Sequence, residues 1–201
     1  MIRNLIFDFG GVLIDLDMEA VSRGLQKFGL ESAGPDLVRV SQKYETGRIS
    51  TDGFLKEVRR LLPGSREAEI RRIWNATVDQ FPMERLEFME SLKASGQYRM
   101  FLLSNTNPLH VERARSNMGA PVFERFRDCF NQFYLSHEIG MRKPAPEIFA
   151  FVLEENDLAA AETLFIDDTL EHIESAARLG IRTWHLQVGR ENILELHQKL
   201  S

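Results

Sequence analysis

The chain has 201 residues, 43% of them hydrophobic, and a formal net charge of −5, enough for one well-packed domain carrying a smaller insert. An acidic balance without a run of Lys or Arg argues against nucleic acid or an anionic membrane as the main partner, and no apolar run reaches the ~20 residues of a transmembrane helix. The single Cys129 excludes an intramolecular disulfide, and no basic, apolar leader precedes the first strand, so a reducing, cytoplasmic compartment is expected.

Ile2, Leu5, Ile6 and Phe7 predict a short buried strand ending at Asp8, and Gly10 and Gly11 beyond it permit a tight turn with exposed backbone N–H groups. Residues 17–81 then show helical spacing in "MEAVSRGLQKFGL", "LVRVSQKYETG", "FLKEVRRLL" and "EIRRIWNATVDQF", punctuated by Gly29, Gly34-Pro35, Gly47 and Pro63-Gly64. Ser65 is the expected N-cap of the last helix. Phe54, Leu55, Val58 and Leu61 read as core, whereas Tyr44, Glu45 and Arg48 read as a solvated helix end rather than as substrate contacts.

After Pro82 helices alternate with short apolar strands: helix "MERLEFMESLKAS", strand "RMFLLS", helix "PLHVERARSNM", strand "FNQFYLS", helix "PEIFAFVLEEN", strand "TLFID", helix "LEHIESAARLG", strand "RTWHL". That alternation predicts an α/β fold, a Rossmann-like parallel sheet with helices on both faces. The helical block is then an inserted cap over 17–81, and 1–16 with 82–201 form the core domain. Asn107 is the expected cap of the helix from Pro108, Gly180 its counterpart before "IRTWHL", and Trp74 and Trp184 are expected to pack. His110 and His137 lack zinc-ligand spacing with Cys129 or with each other.

A parallel sheet brings its strand ends to one edge, where ligands bind. Asp8 ends the first strand, Ser104-Asn105-Thr106-Asn107 follow the second, Lys143 lies in the loop after the third, and Asp167-Asp168 end the fourth. Three clustered carboxylates repel one another and suit an oxygen-coordinated divalent cation, Mg²⁺. A carboxylate beside that ion can attack a phosphoryl group, with Lys143 and the Ser104 hydroxyl on the transferring oxygens and the Phe9 and Gly10 N–H groups as an anion nest. Taken singly, Asp8 reads as a turn-former, Asp167-Asp168 as a helix cap, Ser104 as a cap and Lys143 as a solvated lysine; their convergence carries the functional reading.

The segments "DFGGVL", "LLSNTN", "GMRKPAPEIF" and "FIDDTLEHIESAARLGI" resemble, in order and spacing, the four motifs of the haloacid dehalogenase-like superfamily, and the insert is similar to its small helical C1 cap. The resemblance implies Asp8 as nucleophile and metal ligand, the Gly10 carbonyl and Asp168 as further ligands, and Asp167 as their inner neighbour. It also implies Ser104 and Asn105 as phosphate-binding residues, and Lys143 as the cation that neutralises nucleophile and phosphate together.

Two positions depart from the pattern. Most family phosphatases carry a second aspartate two residues past the nucleophile, as general acid and base; here it is Gly10, and acid–base help of this kind is worth about 10²–10⁴-fold. The loss matters less for a good leaving group. His172 stands where relatives with paired aspartates often have Asn, and a structural hydrogen bond is its expected role. The leading expectation is an Mg²⁺-dependent phosphatase for a small phosphorylated metabolite, a sugar phosphate among them, working as a monomer or homodimer. A catalytically weak phospholigand-binding protein, motivated by Gly10, comes second. A 2-haloacid dehalogenase comes third, because the acid pair at 167 and 168 is foreign to that chemistry.

Overall fold

A strand that is apolar on both faces needs ladder partners on both sides and helices above and below. The first strand, β1 (Asn4–Phe7), has both: Leu5, Ile6 and Phe7 are fully buried. In the computed structural model, which describes residues 1–200, β1 pairs in parallel with β2 (Arg99–Ser104) and β4 (Thr163–Asp167). Two shorter strands, β3 (Gln132–Leu135) and β5 (Arg182–His185), form the edges, giving the all-parallel order β3-β2-β1-β4-β5. The expected Rossmann-like α/β architecture is therefore present.

The period-2 alternation of the strands divides the core between two faces. Leu5 and Phe7 join Leu102, Ile166, the helix α5 (Met83–Ser95) and Phe126 on one side. Ile6 joins Phe101, Leu103 and Phe165 on the other, under α9 (Pro146–Glu155) and α10 (Leu170–Arg178). The crossover from β2 to β3 carries α6 (Pro108–Met118) and α7 (Ala120–Asp128), and the short α8 (Ser136–Ile139) follows β3. Among the described residues no helix is long and apolar enough to cross a membrane.

Between β1 and α5 lie α1 (Ala20–Leu25), α2 (Pro35–Glu45), α3 (Thr51–Leu61) and α4 (Glu67–Asn75). Their spaced apolar residues form a separate cluster around Phe54, whose ring stacks on Tyr44 at 4.4 Å and tilts against Trp74 at 4.8 Å. Leu109 of α6 completes that cluster, so the block is packed onto the sheet domain as well as within itself. The connections in and out run side by side: Leu16 bridges Val78 antiparallel, Asp15 N–H donates to Gln80 O and Asp79 N–H to Asp15 O.

Several local expectations are corrected. Ser65 does not cap α4; its hydroxyl donates to Leu62 O at 2.7 Å, closing the turn after α3, and Arg66 occupies the cap position. The helical pattern expected to run to Phe81 stops at Asn75, because residues 77–80 pair with 15–17 instead. Residues 119–129, to which the sequence pattern assigns no element, hold helix α7; Gly119 adopts φ +78° and turns the chain straight into it. Asn107, by contrast, caps α6 as expected, accepting from His110 N–H at 3.1 Å.

The turn after α2 is solvated at Gly47 and Arg48, as expected, but not at Tyr44. Tyr44 is buried, and its hydroxyl meets Thr51 Oγ1 at 2.9 Å and accepts from Leu109 N–H at 3.3 Å. Gly47 has φ +65°, and a Cβ there would lie 2.3 Å from the backbone oxygen of His137. Both features exclude a side chain. Gly47→Ala is expected to destabilise the protein by at least about 2 kcal/mol, measured as a lowered urea midpoint with an unchanged m-value.

Candidate active site

Register places the first two acids. Phe7 pairs with Ile166, and Asp8 N–H donates to Ile166 O at 2.8 Å, so Asp8 and Asp167 emerge side by side where β1 and β4 end. Lys143 arrives from the loop between α8 and α9. Its side chain is fully buried, and Nζ lies 2.9 Å from Asp8 Oδ1 and 2.6 Å from Asp167 Oδ2. A buried ammonium without such partners would cost several kcal/mol. The lysine is thereby committed to this one position.

Asp167 is saturated from within. Thr169 N–H donates to Oδ1 at 2.8 Å, and Nδ1 of His172 sits 3.0 Å from each carboxylate oxygen. A carboxylate only accepts, so His172 donates from Nδ1. The structural role expected of His172 is therefore a hydrogen bond that orients Asp167. Burial works against ionising Asp167, but the Lys143 charge and the His172 bond outweigh it and hold the carboxyl below its usual range. Lys143 keeps its proton for the same reason: burial opposes the charge, and Asp167 and Asp8 more than offset it.

Asp8 behaves oppositely. Burial pushes its carboxyl up to about 7, aided by Asp167 and Asp168, while Lys143 pulls the other way. Asp168 is also raised, by burial and by Asp167 beside it. One oxygen from each of Asp8, Asp167 and Asp168 lies within 4.8 Å of the others. Three carboxylates against one lysine leave excess negative charge in a pocket of hard oxygen donors, the chemistry that suits a divalent cation of the magnesium kind.

The glycines after Asp8 have separate roles. Gly11 has φ +71°, and a Cβ there would fall 2.3 Å from Asp168 Oδ2, so the second glycine is what lets Asp168 approach the turn. Sequence reasoning gave Gly11 the tight turn but not the contact with Asp168. At Gly10 a Cβ would meet Leu16 Cδ1 at 2.7 Å. The backbone N–H groups of Phe9 and Gly10 donate to no backbone acceptor, whereas Phe9 O accepts from Leu13 and Ile14. Both donors are left without a backbone partner beside Asp8.

On the facing side Ser104 is 3% exposed at the end of β2. Asn105 follows it, but its carboxamide is already occupied: Nδ2 donates to Lys143 O at 2.8 Å, and Oδ1 accepts from Lys143 N–H at 2.8 Å. Its side chain braces the lysine loop, a role the sequence did not suggest. His110 lies at the α4–α6 contact with Nε2 3.1 Å from Trp74 O, and burial lowers it to about 4. It stays neutral and structural.

A family model described as haloacid dehalogenase-like hydrolase matches residues 2–180. A D-ribitol-5-phosphate phosphatase of Bacteroides thetaiotaomicron is 33% identical over 199 residues, 95% of each chain. Among solved structures, a HAD family enzyme of the same bacterium, in complex with magnesium and inorganic phosphate, superposes with a TM-score of 0.81 at 31% identity, covering 95% of this chain and 97% of that one. A predicted HAD-like family hydrolase of Porphyromonas gingivalis gives 0.84 at 30% identity, covering 100% and 98%.

Two properties of the carboxylate cluster can be measured together by calorimetric titration with Mg²⁺. A cation needs Asp8 without its proton, so affinity is expected to climb as pH rises through about 7 and to level off above it, with protons released on binding at the lower pH values. Gly11→Ala, which drives a methyl into Asp168, is expected to weaken Mg²⁺ binding by roughly 10–100-fold at any pH.

Proposed function

The chain belongs to the haloacid dehalogenase-like hydrolase family, and from that premise we propose that it is an Mg²⁺-dependent phosphatase of small polyhydroxylated metabolites that works through an aspartyl phosphate on Asp8. The observation that carries the reading is Lys143, buried and shared between Asp8 and Asp167 at the strand edge. A binding protein for phosphate needs the cation but has no use for a carboxylate held against it. A nucleophile needs both.

The donor set fits the cation: all oxygen, clustered and over-charged. Asp8, the Gly10 carbonyl and Asp168 would hold Mg²⁺, with Asp167 behind them, since its oxygens already serve Lys143, His172 and Thr169. Once bound, the ion offsets the charge of carboxylates and phosphate and so lets them meet.

The steps made by the protein follow from the distances. Lys143 and the N–H groups of Phe9 and Gly10 receive the phosphoryl oxygens, with Ser104 on the other flank. Asp8 attacks phosphorus, the bond to the leaving oxygen breaks, and the phosphoryl group rests on the carboxylate. Water then attacks that acyl phosphate, releasing inorganic phosphate and restoring Asp8. Lys143 supplies positive charge throughout and gives up no proton, because both neighbours favour its charged form. Gly10 has no side chain with which to protonate the departing oxygen, so that proton comes from solvent or from the substrate itself. Residues 17–81 act as the cap that shuts the edge from bulk water. The relative named for D-ribitol 5-phosphate supports a sugar or polyol phosphate as substrate.

Phosphate release from p-nitrophenyl phosphate, acetyl phosphate, glucose 1-phosphate and a pentitol 5-phosphate, with Mg²⁺ or EDTA, tests this reading. Release is expected to vanish with EDTA and to fall by roughly 10³-fold or more in Asp8→Asn. The aryl ester and the acyl phosphate should turn over about 10²-fold faster than the pentitol ester, the deficit of a missing general acid. No release that depends on Asp8, in folded protein that binds Mg²⁺, would make the chain a phospholigand-binding member of its family.

A further inference from the structure

Lys143 is held through its ammonium by Asp8 and Asp167, but its backbone is held by two other parts of the molecule. From the core, the Asn105 carboxamide bonds both the N–H and the C=O of Lys143, each at 2.8 Å. From the helical block, Glu45 Oε2 pairs with Nε of Arg142, the residue just before the lysine, at 3.2 Å. The other Glu45 oxygen accepts from Ser41 Oγ at 3.1 Å, one turn back on α2, so the carboxylate has a fixed direction. Two residues later Gly47 lies against His137 O, and Tyr44 accepts from Leu109 N–H at the start of α6. The end of α2 is thus seated on the start of α6, on α8 and on the loop that carries Lys143.

We propose that Asn105, Arg142 and Glu45 are positioning residues for Lys143, Asn105 setting its backbone from the core and the Glu45–Arg142 pair setting it from the helical block. The seating of the block and the placement of the lysine are then one event. This rests on the reading of Lys143 as part of the phosphoryl-transfer site. It assigns Glu45 to the lysine loop and leaves the leaving group to other cap residues. A half-exposed ion pair contributes little to stability by itself; its effect lies in geometry, where a displacement of about 1 Å can cost roughly 10²-fold in rate.

The test combines turnover with a direct view of the lysine. In ¹⁵N-lysine-labelled protein, the buried Lys143 ammonium is expected to show a slowly exchanging NMR signal, which Lys143→Met identifies by its loss. Arg142→Glu, which sets two carboxylates against each other, and Asn105→Ala are each expected to speed that exchange and to lower kcat by roughly 10-fold, with KM moved less than about 3-fold for every substrate in the panel. The charge swap Glu45→Arg with Arg142→Glu is expected to restore both. Should Asn105→Ala fold poorly, Asn105→Ser serves in its place. Unchanged exchange and kcat in Arg142→Glu would overturn the proposal, as would a Glu45→Gln variant that raises KM for one substrate alone, because Glu45 would then touch the leaving group. If the wild type releases no phosphate, the phosphatase reading fails, and the ammonium signal still decides whether these residues place Lys143.

Discussion

One buried ammonium organises the edge where the strands end. Lys143 has no access to water, and its charge persists because Asp8 and Asp167 stand on adjacent strands at matching register. Each member of the triad would be expensive alone: an unpaired buried lysine would shed its proton, and the two carboxylates would take protons up. Together they remain ionic enough to do chemistry. The asymmetry between the acids has a clear origin, since Asp167 has Thr169 and His172 to accept from, while Asp8 has only the lysine. The acid left poorly satisfied is the one proposed as the nucleophile.

The glycine pair after Asp8 embodies a compromise. Gly11 lets the backbone take a left-handed turn that Asp168 can approach, so the carboxylate cluster depends on a residue without a side chain. Beside Asp8, the N–H groups of Phe9 and Gly10 donate to no backbone acceptor, and Gly10 brings no side chain that could act as an acid. The adjacent Leu16, which lies over Gly10, pairs with Val78 in the return connection from the helical block, so this gap is walled by the insert itself.

The helical block is therefore no loosely tethered lid. Its apolar cluster takes in Leu109 from α6, its entry and exit segments meet at the Leu16–Val78 bridge, and the end of α2 rests on α6, α8 and the lysine loop. The polar contacts of the seam differ in their surroundings: the Tyr44 to Leu109 bond is buried, whereas the Glu45 to Arg142 pair is partly exposed.

Much of the architecture was legible in the amino-acid sequence, because the physical signals involved are local. Runs such as Leu5-Ile6-Phe7 and Phe101-Leu102-Leu103 have no polar alternation and announce strands buried on both faces; the acids and the hydroxyl that follow them announce a ligand edge. The cap at Asn107 is likewise set by its own neighbours. What tertiary structure alone decided involves contacts between segments distant in the chain. Ser65 lost its capping role to the turn after α3, residues 77–80 left the helix to pair with 15–17, and Tyr44 was buried although its surroundings read as a polar turn. At the site, the occupation of the Asn105 carboxamide by the Lys143 backbone and the contact of Gly11 with Asp168 both join residues far apart in sequence. No spacing rule reaches across such intervals: a side chain's partner depends on which surfaces the packed sheet and helices bring within about 3 Å, and that is settled only when the whole chain is folded.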